Sequence, residues 1–245
     1  MDRKIYTKIA SKNIDVIGDI HGCFGELADL LQKLGYKVDM GKGTISASPQ
    51  GRCLVFVGDF TDRGPEPVRV LRLVMDAVRR GVAFSVRGNH EEKLLQKLRK
   101  NTPAKEEVMA TIRAIKAEGS DFVSQVIDFI EHLPYVILCG EDVLIAHAGL
   151  KEEFQDLDTD SHKRRGKIKS LTIYGDITGR QLEDGRPERL DWAAHYRGRL
   201  AVIYGHSIVN AVEWRNNTIN IDTGCFDTGI LTALRMPGRE LVQNR

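Results

Sequence analysis

Long hydrophobic runs are missing from this 245-residue sequence, and no stretch approaches the roughly 18 apolar residues a membrane-spanning helix requires. The opening MDRKIYTKIA lacks the uninterrupted apolar core of a secretory signal, so the expectation is a cytoplasmic protein with no membrane partner. A dominant charge is missing too. Lys plus Arg number 36 against 34 Asp plus Glu, and a net charge of +2 gives no general attraction to nucleic acid or membranes. Cysteine is scarce: Cys23, Cys53, Cys139 and Cys225 are far apart and form no C-x-x-C pair. That argues against a Cys-ligated structural zinc, and a chain with this much core does not need disulfides, so reduced thiols are expected. No internal repeat or long low-complexity linker divides the chain, which predicts one domain over residues 1–245.

What is present is a recurring unit. Ile14 to Ile17 is a short apolar run closed by Gly18, and Phe24 to Leu34 follows with helical spacing at Leu27, Leu30, Leu31 and Leu34. Cys53 to Val57 ends at Gly58 before a helix over Val68 to Val78, and Val82 to Val86 ends at Gly88 before a helix near Glu91 to Leu98. Three strand, loop, helix units predict an α/β protein with its ligands just outside the C-terminal strand ends. The Gly- and Ser-rich Lys37 to Gln50 reads as a loop or small hairpin.

The middle of the chain changes character. Thr102 to Ala117 and Phe122 to His132 read as two amphipathic helices, a helical insert over 102–132 that either roofs a site or completes the core. After Pro134 the pattern returns to strands, at Tyr135 to Leu138, Val143 to Ala146, Ala201 to Tyr204, Ala211 to Trp214, Thr218 to Ile221 and Ile230 to Arg235. Asp156 to Ser170, with its basic SHKRRGKIKS, is expected to be a mobile surface loop. Its Lys and Arg residues suit a polyphosphate or an RNA backbone, or simply a solvated face. No aromatic side chain punctuates it to stack a base.

Chemistry concentrates after the glycine-marked strand ends, in GDIHG (18–22), GDFTDRG (58–64), GNHE (88–91), HAG (147–149) and YGH (204–206). Glycine takes loop dihedrals that turn the next acidic or amide group toward a common point. Carboxylate, amide oxygen and neutral imidazole together suit a divalent transition ion such as Mn, Fe or Zn. Taken singly, Asp62 also suits a turn cap and Arg63 a surface ion pair. Asp222, in INIDTG, suits a turn. His132, His162 and His195 lie in no such segment.

In their order these segments resemble the calcineurin-like metallophosphoesterase superfamily, especially its phosphoprotein-phosphatase branch with GDxHG, GDxxDRG and GNHE. The resemblance implies two packed mixed β-sheets flanked by helices, a four-layer αββα sandwich, and two divalent metal ions, Mn first, with Fe, Zn, Ni or Co as alternatives. Carried over residue by residue, it gives Asp19 and His21 to one metal, Asp59 to the bridge, and Asn89, His147 and His206 to the other. His90 becomes the general acid, oriented by Asp62, Arg63 the phosphate clamp, and Asp222 resembles the family's acidic residue near the metal site. Ile208 stands where many superfamily members carry a further histidine.

GDIHGCFGEL, IYGDITG, DWAAHYRG and TINIDTG resemble two bacterial groups, the PrpE-type asymmetric bis(5'-nucleosyl)-tetraphosphatases and the phosphatase module of RNA-repair polynucleotide kinase-phosphatases. The first resemblance implies asymmetric hydrolysis of diadenosine tetraphosphate to ATP and AMP, with a dinucleoside polyphosphate as the small phosphorylated substrate. The alternatives are an RNA-end 2',3'-phosphatase or phosphodiesterase, a protein Ser/Thr phosphatase, and a non-catalytic metal-binding interaction protein. Glu91 departs from the Asp of the near relatives and agrees with protein phosphatases.

Overall fold

The computed structural model describes residues 5–100, 102–158, 161–183, 185 and 187–245. The first half forms β1 (Tyr6–Ile9), β2 (Ile14–Ile17), α1 (Phe24–Lys33), β3 (Lys37–Asp39), β4 (Thr44–Ala47), β5 (Cys53–Phe56), α2 (Pro67–Arg79), β6 (Ala83–Ser85) and α3 (Asn89–Lys100). Next come α4 (Glu106–Ala117), α5 (Ser120–His132), β7 (Val136–Cys139), β8 (Val143–Ile145), α6 (His162–Tyr174), β9 (Ile177–Gln181) and β10 (Pro187–Arg189). The chain closes with β11 (Ala201–Tyr204), β12 (Trp214–Arg215), β13 (Thr218–Asn220), α7 (Cys225–Thr228), β14 (Thr232–Met236) and β15 (Glu240–Gln243).

Period-two side chains divide the two large sheets between three hydrophobic layers. On β5, Leu54 and Phe56 face α1 and α2, while Val55 faces the other sheet. One sheet runs β15-β14-β2-β5-β6 and the other β1-β7-β8-β11-β13-β12. Val16, Val55 and Val57 of the first meet Ile137, Ile145 and Ile203 of the second in the central layer. On the outer face of the second sheet, Leu144 and Val202 meet Ile168 and Leu171 of α6 and Trp192. The result is the expected mixed α/β arrangement of two multi-stranded sheets flanked by helices.

Within these sheets β2, β5 and β6 are mutually parallel, as are β8, β11 and β13. Parallel strands place their C-terminal ends on one edge, which lets loops far apart in sequence converge. On β2 itself, Asp15 is fully buried. Its carboxylate accepts from Tyr36 Oη at 2.8 Å, Arg52 Nε at 3.0 Å and Arg235 Nε at 2.9 Å, so the charge inside the apolar run is compensated by two guanidinium groups and a phenol.

Three expectations change. Asp156 to Ser170 is not a loop throughout: His162–Tyr174 is helical, capped by the Ser161 hydroxyl accepting from Arg164 N, while residues 159 and 160 lie outside the described residues. Its polar first turns carry no apolar stripe, and only Ile168, Leu171, Thr172 and Ile173 are buried, so periodicity had nothing to report. The strand expected at Ala211 to Trp214 is the two-residue β12, displaced to Trp214–Arg215. Strands β1 and β15 add edges that the pattern did not signal, because half-exposed edge strands carry few apolar residues. Among the described residues no helix is long and apolar enough to cross a membrane. All four cysteines are free.

Candidate metal centre

Asp19, Asp59, Asn89, His147 and His206 lie just past β2, β5, β6, β8 and β11, on the common edge of the two sheets. The turns that carry them are tight. His21, Asp59, Asp62, Arg63 and His206 all have positive φ, between 47° and 74°, a region that non-glycine residues seldom occupy and that costs about 1–3 kcal/mol each. Glycine permits the remaining crowding: a Cβ on Gly88 would lie 2.2 Å from Asp59 Oδ1, and one on Gly205 would lie 2.0 Å from Asp19 Oδ1.

The donor atoms close on two points that share Asp59. Asp59 Oδ2 lies 3.6 Å from His21 Nε2 and 3.5 Å from His147 Nε2. On the second side Asn89 Oδ1 is 2.9 Å from His147 Nε2 and 2.7 Å from His206 Nδ1, and the two ring nitrogens are 3.0 Å apart. Backbone carbonyls orient two of the rings, with His21 Nδ1 donating to Thr61 O and His147 Nδ1 donating to Val57 O, both at 2.9 Å. This fixes the tautomer that leaves each Nε2 a lone pair. Asp19 Oδ2 accepts from His206 N at 3.0 Å, while its buried Oδ1 has no protein partner.

Electrostatics favour a cation at the same place. Burial holds His21 down at about 4 and keeps His147 and His206 below the ordinary imidazole range, so all three rings are neutral donors. Burial, with the charges of Asp222 and Asp59, holds Asp19 well above the usual carboxylate range, and burial raises Asp222 to about 6. Asp59 goes the other way: burial would raise it, but the surrounding His147, His90, His21 and His206 hold it well below that range. Neutral imidazoles facing crowded carboxylates are a donor set that a divalent ion completes. Two His/Asp groups able to hold a metal ion, His21, Asp59 and His90, and Asp59, His147 and His206, share Asp59 and support a dinuclear metal site.

His90 Nδ1 donates to Asp62 Oδ2 at 2.5 Å, and its Nε2 lies 3.5 Å from Arg63 Nη2. Arg63 is exposed, its guanidinium 4.6 Å above the Phe226 ring, and that ring packs edge-on to His21 at 5.3 Å. Asp222 is buried, and its Oδ1 accepts from Gly224 N at 2.9 Å, so the turn reading holds for one oxygen while the side chain also sits within the Asp19 and Asp59 field. Ile208 is 48% exposed and faces Gly224 rather than the donor cluster. His132, His162 and His195 are exposed.

Three residues that sequence reasoning did not place complete the surroundings. Thr111 of α4 is buried and donates from Oγ1 to Asp62 Oδ1 at 2.6 Å, so the helical segment both packs into the core and holds the partner of His90. Phe226 seats Arg63. Glu91 is a fully buried acceptor for Asp59 N at 2.7 Å, Phe60 N at 2.8 Å and Gly88 N at 3.0 Å, and burial with the Asp59 charge pushes it up to about 7. It braces the loop that presents Asp59. The GNHE spelling gave a signal for Glu91; nothing local signalled Thr111 or Phe226. Thr111→Val removes one hydrogen bond to a carboxylate, an interaction worth about 1.5–3 kcal/mol. The expected result is a fall in kcat of about tenfold at unchanged secondary structure, measured by steady-state kinetics beside circular dichroism.

A cavity of about 520 Å³ opens beside His206, and another of about 510 Å³ between α2, α5 and β6 touches none of these residues.

A family model for calcineurin-like phosphoesterases matches residues 12–210. The PrpE bis(5'-nucleosyl)-tetraphosphatase [asymmetrical] of Bacillus velezensis is 43% identical over 235 residues, covering 93% of this chain and 90% of that one. Its Bacillus subtilis counterpart is 41% identical over 235 residues, covering 93% and 92%. Among solved structures, a protein provisionally named a diadenosine tetraphosphatase superposes with a TM-score of 0.69 at 25% identity, covering 98% of this chain and 97% of that one. A Saccharomyces cerevisiae protein serine/threonine phosphatase superposes at 0.63 with 19% identity, covering 98% and 82%, a likeness of fold. Sheet order, shared Asp59 and family model agree, and the chain belongs to the calcineurin-like phosphoesterase family as a metal-dependent hydrolase.

Proposed function

We propose that this protein hydrolyses dinucleoside tetraphosphates asymmetrically, producing ATP and AMP from diadenosine tetraphosphate with Mn2+ as its metal, as a single cytoplasmic domain over residues 1–245. The observation that carries the reading is identity of 41–43% with PrpE enzymes along 93% of the chain. In this reading Asp19 and His21 would hold one ion and Asn89, His147 and His206 the other, with Asp59 available to both. The pair, when bound, supplies a Lewis acid that neutralises phosphate charge and activates water for in-line attack.

The chain's own groups do the rest. Arg63, seated on Phe226, grips the phosphate oxygens with a guanidinium that matches their geometry. His90 delivers a proton to the departing oxygen from Nε2, the nitrogen opposite the one that donates to Asp62. Burial lowers the His90 affinity for a proton, but the Asp59 charge and the Asp62 hydrogen bond more than offset it, so the ring titrates above its ordinary value. Asp222 adds to the negative field felt by Asp19.

A kinetic comparison in Mn2+ of diadenosine tetraphosphate, a 2',3'-cyclic nucleotide, a phosphopeptide and an aryl phosphate, with product identification, tests the substrate. ATP plus AMP at the highest kcat/KM is expected. A faster cyclic nucleotide would move the assignment to RNA ends, and a faster phosphopeptide to protein dephosphorylation. No turnover on any of them would leave a non-catalytic metal-binding protein.

A further inference from the structure

Two thiols from opposite ends of the chain meet behind His21. Cys23 caps the start of α1, two residues after His21, and Cys225 opens α7, one residue before Phe226. Both are buried, at 4% and 2% exposure, in the apolar layer that holds α1 and α2. Glu26, in the first turn of α1 and half-buried, joins them: one of its carboxylate oxygens and the two Sγ atoms all lie within 4.8 Å of one another. Among the described residues no Lys, Arg or His pairs with that carboxylate. Cys23 Sγ donates to His21 O at a long 3.7 Å. The wide spacing that spoke against a Cys-ligated zinc is closed by the fold, which brings both cysteines into one cluster.

The donor types decide what the trio takes. Ca2+ and Mg2+ call for a shell of oxygen ligands, whereas two thiolates with one carboxylate are a zinc donor set. With Zn–S at about 2.3 Å and Zn–O at about 2.1 Å, tetrahedral donors stand about 3.6–3.8 Å apart, so the trio has to draw in by about 1 Å at most. We infer that Cys23, Glu26 and Cys225 form a third metal site, for one Zn2+, separate from the two-ion centre. The ion enters past Glu26, the most exposed of the three, and the two thiol protons leave to solvent as the sulfur atoms bind. The ion also compensates a half-buried carboxylate that has no other cation. Its place gives it a structural consequence: it ties the start of α1 to the start of α7, and so holds Phe226, the seat of Arg63, against His21. None of this depends on the substrate proposed above. Mn2+ prefers oxygen and nitrogen donors, so a Mn2+-loaded pair and this site are filled and counted separately.

Cobalt reads sulfur ligation directly. Reduced protein titrated with Co2+ should develop a near-ultraviolet sulfur-to-cobalt charge-transfer band, which the oxygen and imidazole donors of the two-ion centre do not produce. The band is expected to persist in Asp59→Asn, to vanish in Cys23→Ser and in Cys225→Ser, and to bleach when Zn2+ displaces the cobalt. Glu26→Gln keeps both sulfurs and alters a half-buried side chain, so it serves even where a serine variant fails to fold. It should weaken Co2+ binding, followed at the same band, by about tenfold or more. No band in the reduced wild-type protein, a band that survives Cys225→Ser, or an unchanged Co2+ affinity in Glu26→Gln would overturn the site. A Cys23–Cys225 disulfide in protein purified without reductant, with no band after reduction, would make the pair a redox couple and overturn it equally.

Discussion

Asp59→Asn lowers kcat/KM by about a thousandfold or more, because a metal pair supplies several kcal/mol of charge stabilisation and each ~1.4 kcal/mol is tenfold. The substitution is isosteric, and its consequences separate cleanly. Asparagine tolerates the left-handed backbone that Asp59 adopts at φ 52°, its amide oxygen can still accept from His90 N, and Asp59 N keeps Glu91 as its acceptor. What disappears is the charge between His21 and His147. Metal analysis of the purified variant should therefore show fewer than two ions per chain while the thermal transition remains cooperative. Unchanged turnover in a metal-defined preparation would remove Asp59 from the bridge.

His90→Ala is the second large effect, with a leaving-group signature. General acid catalysis contributes about 10²–10⁴-fold, so kcat for an alkyl phosphate ester should fall by about that factor. With p-nitrophenyl phosphate the loss is smaller, because nitrophenolate departs without needing a proton. Equal losses on the two substrates would count against a proton-donating role and point to electrostatic support alone. The pH profile gives a further check. The Asp59 charge and the Asp62 hydrogen bond raise His90, so Asp62→Asn lowers it and shifts the alkaline limb of kcat to lower pH. Thr111→Val should move that limb slightly the other way, to higher pH, since Asp62 keeps its charge and, with one donor fewer, accepts more strongly from His90.

The residues named from motifs occupy turns whose chemistry is local. GDIHG, GDFTDRG and GNHE each follow a buried strand, and each places its acidic, amide or imidazole group within a few residues of the glycine that frees the backbone. The helical segment after residue 102 was legible as two helices, and its apolar face did enter the core through Ile112, Ile115, Phe122 and Val126. Its link to Asp62 was not legible, because a buried threonine on a helix reads as core whether or not its hydroxyl finds a carboxylate 49 positions away. The basic stretch at 162–170 was misread for the opposite reason: a helix whose first turns are solvated carries no periodic stripe.

The buried strands, the turn chemistry, the donor types and their succession along the chain were determined by the sequence itself, since each depends on neighbours within a few residues. Tertiary structure alone decided which groups serve those donors. Thr111 reaches Asp62 and Phe226 carries Arg63, while Glu91, signalled by GNHE, finds its three backbone N–H partners only in the fold. Each of these three meetings joins segments far apart in the chain, and all follow from how two sheets twist and pack, a geometry set by the summed fit of buried side chains rather than by any one stretch of sequence.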